Sequence, residues 1–347
     1  MKFDPKELEV KYYMPGPPNV PPMPVLSTPI TSRENYLRMM HHEQPLWLPT
    51  SMDYAITAPT CSPDAWAHGV VFGPGINPAE EGGQDMLGVE WEIYGPGAMV
   101  RQGNPLVKDL DHWEDYVTFP DVDSWDWESS GAKDVKRAND NGQVIRIAQF
   151  SGFFERLISL VDMEEALVSM IDEDCAPAIH RLFDYMCTLY DKHFEKYAKY
   201  LHADTVWFMD DWGTQRAPFF SIDTIREMLL PYLKRVVESA HKYGLILDFH
   251  SDGKIDELVP LIVESGADSW EGQIMNDKIK VLENYPQLVC NVHMPPIPKD
   301  ATEEQMHAIV DEFFDTYGKY RIVVDAFGVS PDALVYLYEK SRRAYCG

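Results

Sequence analysis

Three stretches of the chain end in residues able to hold a metal or move a proton: DFHSDG at 248–253, WEGQ at 270–273 and LVCNVHM at 288–294. His250 offers an imidazole nitrogen, Glu271 a carboxylate oxygen and Cys290 a thiolate. Together they make a three-ligand zinc site with the fourth position open, as in catalytic zinc. Asp252, two residues beyond His250, is either a ligand itself or the group that orients the imidazole. His293 is an alternative ligand on the strand of Cys290. The adjacent pair Asp210–Asp211 suits a general base or a group that binds a substrate hydroxyl. Side chains alternate along a strand, so one of the two faces the site and the other turns away. Each residue also has an ordinary reading. A strand-end histidine is often just hydrogen-bonded, Cys290 is a small apolar group beside Val289 and Val292, and Asp211 caps the turn that follows.

These residues act together only if separate elements deliver them to one place. Short apolar runs recur at VIRIAQF (144–150), TVWFMDD (205–211), LILDFHSDG (245–253), DSWEGQI (268–274), LVCNVHM (288–294) and RIVVDAF (321–327). Amphipathic stretches separate them. The stretch SIDTIREMLLPYLKRVVESAHKYG places Ile, Leu and Val at three- and four-residue spacing, opens at a Ser-x-Asp cap and closes at Gly244, which predicts one helix. Strand–helix alternation predicts an α/β fold with a parallel sheet, and this many units predicts a closed (β/α)8 TIM barrel. A doubly wound sheet is the alternative, but no GxGxxG opens the first helix.

In a barrel the active site lies at the carboxyl ends of the strands. Asp210, Asp211, Gln215, His250, Asp252, Glu271, Gln273, Cys290, Asn291, His293 and Asp325 all fall there, so carboxylates and imidazoles converge on one mouth. Gln215, Gln273 and Asn291 are expected to bind substrate. Aromatic residues, among them Phe72 and Trp91, crowd the preceding segment and the rim. Most belong to the core, but Tyr54, Phe153 and Trp212 stand near strand ends and are expected to wall a pocket for a planar, mostly apolar ligand.

The chain has 347 residues, 45% hydrophobic and 25% charged, the balance of a globular protein. Thirty Lys+Arg against 56 Asp+Glu leave a formal charge of −26. A surface so acidic repels phosphate backbones and anionic lipid, which argues against nucleic acid and membrane surfaces as partners. No run reaches the roughly 18 apolar residues of a membrane helix, and no secretory h-region follows the first Met. Five cysteines without a CxxC pair predict a reducing, cytoplasmic setting. Residues 1–30 are expected to form an arm, because the run MPGPPNVPPMPVLSTPIT excludes regular helix and central strand. A helix capped by Thr31 or Ser32 follows. Residues 31–347 are expected to form a single barrel domain, with an irregular insertion at about 55–140.

Several segments carry a family likeness: SRENYLRMMHHEQPLWLP, QDMLGVEWE (84–92), LDHWEDYVTFPDVDSWDW (110–127), FSGFFERLISLVDMEEAL (150–167), DDWGTQRAPFFSIDTIREMLLPYLKRVVESAHKYG and FHSDGKIDELVPLIVESGADSWEGQ. Over about residues 30–345 the chain resembles the uroporphyrinogen decarboxylase superfamily, whose fold is a distorted (β/α)8 barrel. Its decarboxylases hold an octa-anionic tetrapyrrole with an arginine-rich motif of the type RQAGRYLPEY. Here SMDYAITAPT stands at that place, with only Arg33 and Arg38 nearby. The resemblance therefore implies the other branch, the cobamide-dependent methyltransferases, and within it the methyltransferase I components of O-demethylase systems. Such enzymes use Zn2+ as a Lewis acid and pass a methyl group from a small methyl donor to a corrinoid protein. Their common His-x-Cys is His250-x-Asp252 here, and RIVVDAFGVSP has no cysteine, which counts against the thiol-activating coenzyme M enzymes. The Pro-rich arm and the aromatic insertion are expected to shape a docking surface for the corrinoid protein, and the arm suits a homodimer. The alternatives are a metal-free decarboxylase or lyase using Asp210 or Asp211 with His250, and a non-catalytic corrinoid-binding protein.

Overall fold

A computed structural model describes residues 1–14, 22–68, 82–94, 97–101 and 103–346. Phe72 and residues 15–21 of the Pro-rich run lie outside the described residues. Among those described, the first six strands are β1 (Val10–Met14), β2 (Met23–Leu26), β3 (Tyr54–Thr57), β4 (Gly83–Gln84), β5 (Glu90–Tyr94) and β6 (Gly97–Val100). The others are β7 (Val144–Gln149), β8 (Thr205–Met209), β9 (Ile246–Ser251), β10 (Ser269–Gly272), β11 (Val289–His293) and β12 (Ile322–Asp325). The chain divides into two compact units. One holds Met1–Tyr54, Asn141–Val144 and Asp277–Gly347; the other holds Ala55–Asp140 and Ile145–Asn276.

In the first unit, β1 and β2 pair antiparallel, with Met14 opposite Met23. The Pro-rich run thus does contribute a strand, but to a two-stranded ribbon in which both strands are edges and Pro24 is tolerated. The helix Ser32–Met40 follows, with the Thr31 side chain accepting from the Glu34 N–H at 3.1 Å, so Thr31 is its N-cap. β11 and β12 pair parallel, with Cys290 opposite Ile322 and His293 opposite Asp325.

In the second unit β7, β8, β9 and β10 form a parallel ladder in chain order. Helices occupy the connections, at Phe153–Val161 and Ala176–Tyr200 after β7, Ile222–Met228 and Leu230–Lys242 after β8, and Val259–Ser265 after β9. The helix expected over 221–244 is two helices. Pro231 lacks an N–H and its ring crowds the preceding turn, so the first segment ends at Met228 and a new one starts at Leu230. Residues of the expected insertion form the small antiparallel sheet β4–β5–β6. The protein is a mixed α/β structure with parallel strands between helices, as the alternation predicts. No described pairing closes a ring of eight strands.

The register divides residues between the two faces of the ladder. Trp207 stands beside Asp248, and Glu271 beside His250. With a period of two, Arg146, Trp207, Asp248, His250 and Glu271 share one face. The opposite face carries Val206, Phe208, Leu247, Phe249 and Trp270, all fully buried. The ladder thus has one apolar face and one charged face.

Candidate functional site

The charged face is a connected chain of hydrogen bonds. Arg146, 1% exposed, binds Asp248 and places Nη2 2.5 Å from Glu271 Oε2. Its guanidinium also lies 4.4 Å over the Trp207 ring, which holds it in place by cation–π attraction. Ser269 Oγ donates to the other Asp248 oxygen at 2.7 Å. Glu271 then presents Oε1 to His250 Nδ1 at 3.2 Å. The second imidazole nitrogen, Nε2, lies 3.3 Å from Asp252 Oδ1. Donor atoms of Asp211, His250 and Asp252 all lie within 4.8 Å of one another.

Loops at the strand ends lock this geometry. The Asp252 N–H donates to Asp211 Oδ1 at 2.7 Å, and the Trp212 N–H to Ser251 Oγ at 2.9 Å. The Gly253 N–H donates to Gln273 Oε1 at 3.1 Å. Gly253 has φ +91°, and a Cβ there would stand 2.4 Å from the Gly213 backbone, so HSDG closes only with glycine at its last position.

Charge is unevenly balanced. Burial opposes ionisation of the His250 ring, but hydrogen bonds to Asp252 and Glu271 and the charges of Glu271 and Asp211 outweigh it, and its pKa is pushed up to about 10. Burial likewise opposes ionisation of Glu271, yet Arg146 and then His250 hold its carboxyl well below the usual range. Asp211 is raised by burial against the pull of His250. Glu155 is raised well above the usual carboxyl range, by burial first and then by the charges of Asp211 and Asp210. The site therefore has a surplus of acidic groups, two of which burial pushes toward their protonated form.

Asp210 and Asp211 have separate tasks. Asp210 is fully buried, with Oδ1 accepting from the Glu155 N–H at 2.9 Å and Oδ2 from Trp212 Nε1 at 2.8 Å. It ties the end of β8 to the start of the helix Phe153–Val161. That close approach depends on Gly152, where a Cβ would lie 2.5 Å from the Asp210 side chain. Asp211 is the member of the pair that joins His250 and Asp252.

Two expected pocket residues are core residues instead. Phe153, 1% exposed, packs with ring centroids 5.3 Å from Phe183, 5.7 Å from Tyr190 and 5.8 Å from Phe208, because it points inward from the first turn of its helix. Trp212, also 1% exposed, packs against Phe249 at 4.7 Å and spends its N–H on Asp210. Gln215 is exposed in the turn after Gly213. Cys290, Asn291, His293, Asp325 and Tyr54 belong to the first unit. There Cys290 is fully buried, His293 Nε2 lies 3.0 Å from Asp325 Oδ2, and Tyr54 meets Tyr36 edge-on at 6.0 Å. Of the three ligands expected for zinc, the cluster described here contains His250, with Glu271 on its far nitrogen, while Asp211 and Asp252 supply the oxygens.

The chain shares the fold of a methyltransferase from Methanosarcina mazei. The TM-score is 0.61 at 16% sequence identity, over 92% of this chain and 100% of that one. A sugar phosphate isomerase/epimerase from Parabacteroides distasonis aligns over 62% of this chain with a TM-score of 0.34 and 12% identity, and xylanase B from Clostridium stercorarium over 58% with 0.37 and 12%. No protein-family profile matches the sequence, and no curated protein does.

Reading the sequence misses Arg146, Asp248 and Glu155. The signal was present for two of them, since Arg146 interrupts the apolar run VIRIAQF and Asp248 the run LILDF. A charge inside a buried strand must have a partner.

A second group of potential ligands, Asp64, His68 and Asp85, is also buried. Arg156 already neutralises it, with Nη2 2.8 Å from Asp64 and Nη1 2.6 Å from Asp85. Burial pushes the His68 imidazole down to about 4, so it is neutral. A resident guanidinium makes this a poor cation site. Among the described residues, no helix is long and apolar enough to cross a membrane.

Proposed function

We propose that the chain is a methyltransferase that moves a methyl group from a small methoxylated or methylated substrate to the cobalt of a corrinoid carried by a partner protein. The observation that carries this reading is the His250 imidazole, held at Nδ1 by Glu271 with Nε2 beside Asp252 and Asp211 in the same cluster, on a fold shared with a methyltransferase. The O-demethylase branch and the closed barrel are part of the same proposal and rest on the resemblance of the sequence.

The residues fit zinc. One imidazole nitrogen and two carboxylate oxygens are donors that zinc accepts, three protein ligands leave a position open, and surplus negative charge favours a cation. A zinc ion held by His250, Asp211 and Asp252 would supply a Lewis acid for the charge that develops on the substrate oxygen. Glu271 fixes the ring orientation and keeps the Nδ1 proton on its own side, which frees Nε2 as the donor. Arg146 fixes Glu271 in turn. Glu155, whose carboxyl is raised well above the usual range by burial and by the charges of Asp211 and Asp210, would be the group that returns a proton to a leaving alkoxide or phenoxide.

Purified, zinc-loaded protein mixed with cob(I)alamin and a panel of aryl methyl ethers, methylamines and methyl thioethers is expected to form methylcobalamin with at least one donor. His250→Ala is expected to abolish the reaction. Failure with every donor, in zinc-replete and folded protein, overturns the proposal. A second reading, metal-free acid–base catalysis, draws on the imidazolium that the carboxylates hold at His250. A zinc content near zero after expression with ample zinc would favour it.

A further inference from the structure

We propose that the first unit carries a second binding site, a cavity headed by Asp53 and Gln143 that takes a small primary alkylammonium ion. The site is independent of methyl transfer, and its residues are all different from those of the carboxylate–histidine cluster.

The cavity has a volume of about 120 Å3, and every residue lining it belongs to the unit that contains β1, β2, β11 and β12. An apolar cavity of about 150 Å3 holds a benzene ring, so this one holds a molecule of four or five carbons. Met14, Trp47, Leu48, Met52 and Leu334 supply apolar walls. Methionines among them adapt readily to the shape of an alkyl chain.

Two buried acceptors, on Gln143 and Asp53, mark the polar end. Gln143 is 4% exposed, and its Nε2 donates to Met52 O at 2.8 Å and to Tyr54 O at 3.3 Å. Those bonds fix the amide the right way round and leave Oε1 buried with no partner among the described residues. Buried acceptors without partners are rare in folded proteins and point to a missing donor. Asp53, 6% exposed, accepts at Oδ2 from the Thr50 N–H at 2.7 Å and from Thr50 Oγ1 at 3.3 Å, and the Ser32 side chain also hydrogen-bonds to it. Among the described residues no lysine, arginine or histidine pairs with it. Burial pushes its carboxyl up to about 6, so at neutral pH it is ionised and has no counter-charge.

A buried carboxylate and an orphaned amide oxygen both accept and neither donates. The complementary head group must donate more than one hydrogen and carry positive charge, and the tail must be short and apolar. A primary alkylammonium has both properties. An alcohol supplies one hydrogen and no charge, and a carboxylate is repelled.

The test is calorimetric titration at neutral pH with n-butylamine, n-butanol and butyrate, with the fluorescence of the tryptophans, Trp47 included, followed in parallel. Saturable butylammonium binding in the millimolar range or tighter is expected, at least about tenfold stronger than butanol, with no binding of butyrate. Asp53→Asn keeps the Thr50 bonds and is expected to erase the preference for ammonium over alcohol. Leu334→Phe fills the cavity from its apolar wall and is expected to abolish binding of both. Equal binding of butanol and butylammonium by the unmodified protein, saturation unaffected by Leu334→Phe, or no saturation at all would overturn the proposal.

Discussion

Replacing Glu271 by Gln separates the orienting role of this residue from that of a metal ligand. Glu271 stands between the buried guanidinium of Arg146, at 2.5 Å, and Nδ1 of His250, at 3.2 Å. Glutamine keeps the shape and one acceptor but removes the charge that both neighbours require. Breaking a buried ion pair outright costs about 3–5 kcal/mol. Asp248 remains on Arg146 and the amide oxygen still accepts a hydrogen bond, so about 2–3 kcal/mol is expected. For 347 residues the unfolding entropy is about 0.7 kcal/mol/K, which makes this a fall of about 3–4 °C in Tm. The metal site suffers more visibly. With a neutral partner at Nδ1, the imidazole is a weaker and less well oriented donor, and zinc affinity is expected to drop about 10- to 100-fold. Competition with a chromophoric chelator measures this directly, alongside the same titration on His250→Ala. Zinc affinity within twofold of the unmodified protein would refute the orienting role. A loss as complete as that in His250→Ala would make Glu271 a ligand instead.

Two further outcomes follow from the same geometry. Zinc must displace the proton on His250, whose pKa is pushed up to about 10, so apparent zinc affinity should rise with pH by about tenfold per unit between about pH 6 and 8 and fall by the same factor as acid is added. A flat profile by chelator competition would mean that the ring is neutral before metal enters. Phe153→Ala removes a ring buried among Phe183, Tyr190 and Phe208 and should cost about 3–5 kcal/mol, a fall of about 4–7 °C in Tm, with zinc content unchanged. An unaltered Tm combined with a raised KM for the methyl donor would return Phe153 to the substrate pocket.

The amino-acid sequence alone marks much of this protein. Alternating apolar runs and amphipathic stretches identify parallel strands and their connecting helices, because burial of a strand face or a helix stripe is a periodic, local requirement. The same pattern puts His250, Asp211 and Asp252 at strand ends, and Thr31 at the start of its helix. Local spacing also predicts an uninterrupted helix over 221–244, where Pro231 prevails over the apolar periodicity. What the tertiary structure decides is which atoms meet. Asp210 and Asp211 are neighbours in sequence with the same charge, yet one is consumed by the N–H groups of Glu155 and Trp212 and the other joins the histidine. Phe153 and Trp212 sit where pocket residues would sit, and packing turns both into the core. Glu271 reads as a ligand until Arg146, 125 positions earlier, is found on its second oxygen. Periodicity reports which face a side chain is on; the partner it meets there depends on register between strands distant in the chain, which only folding brings side by side.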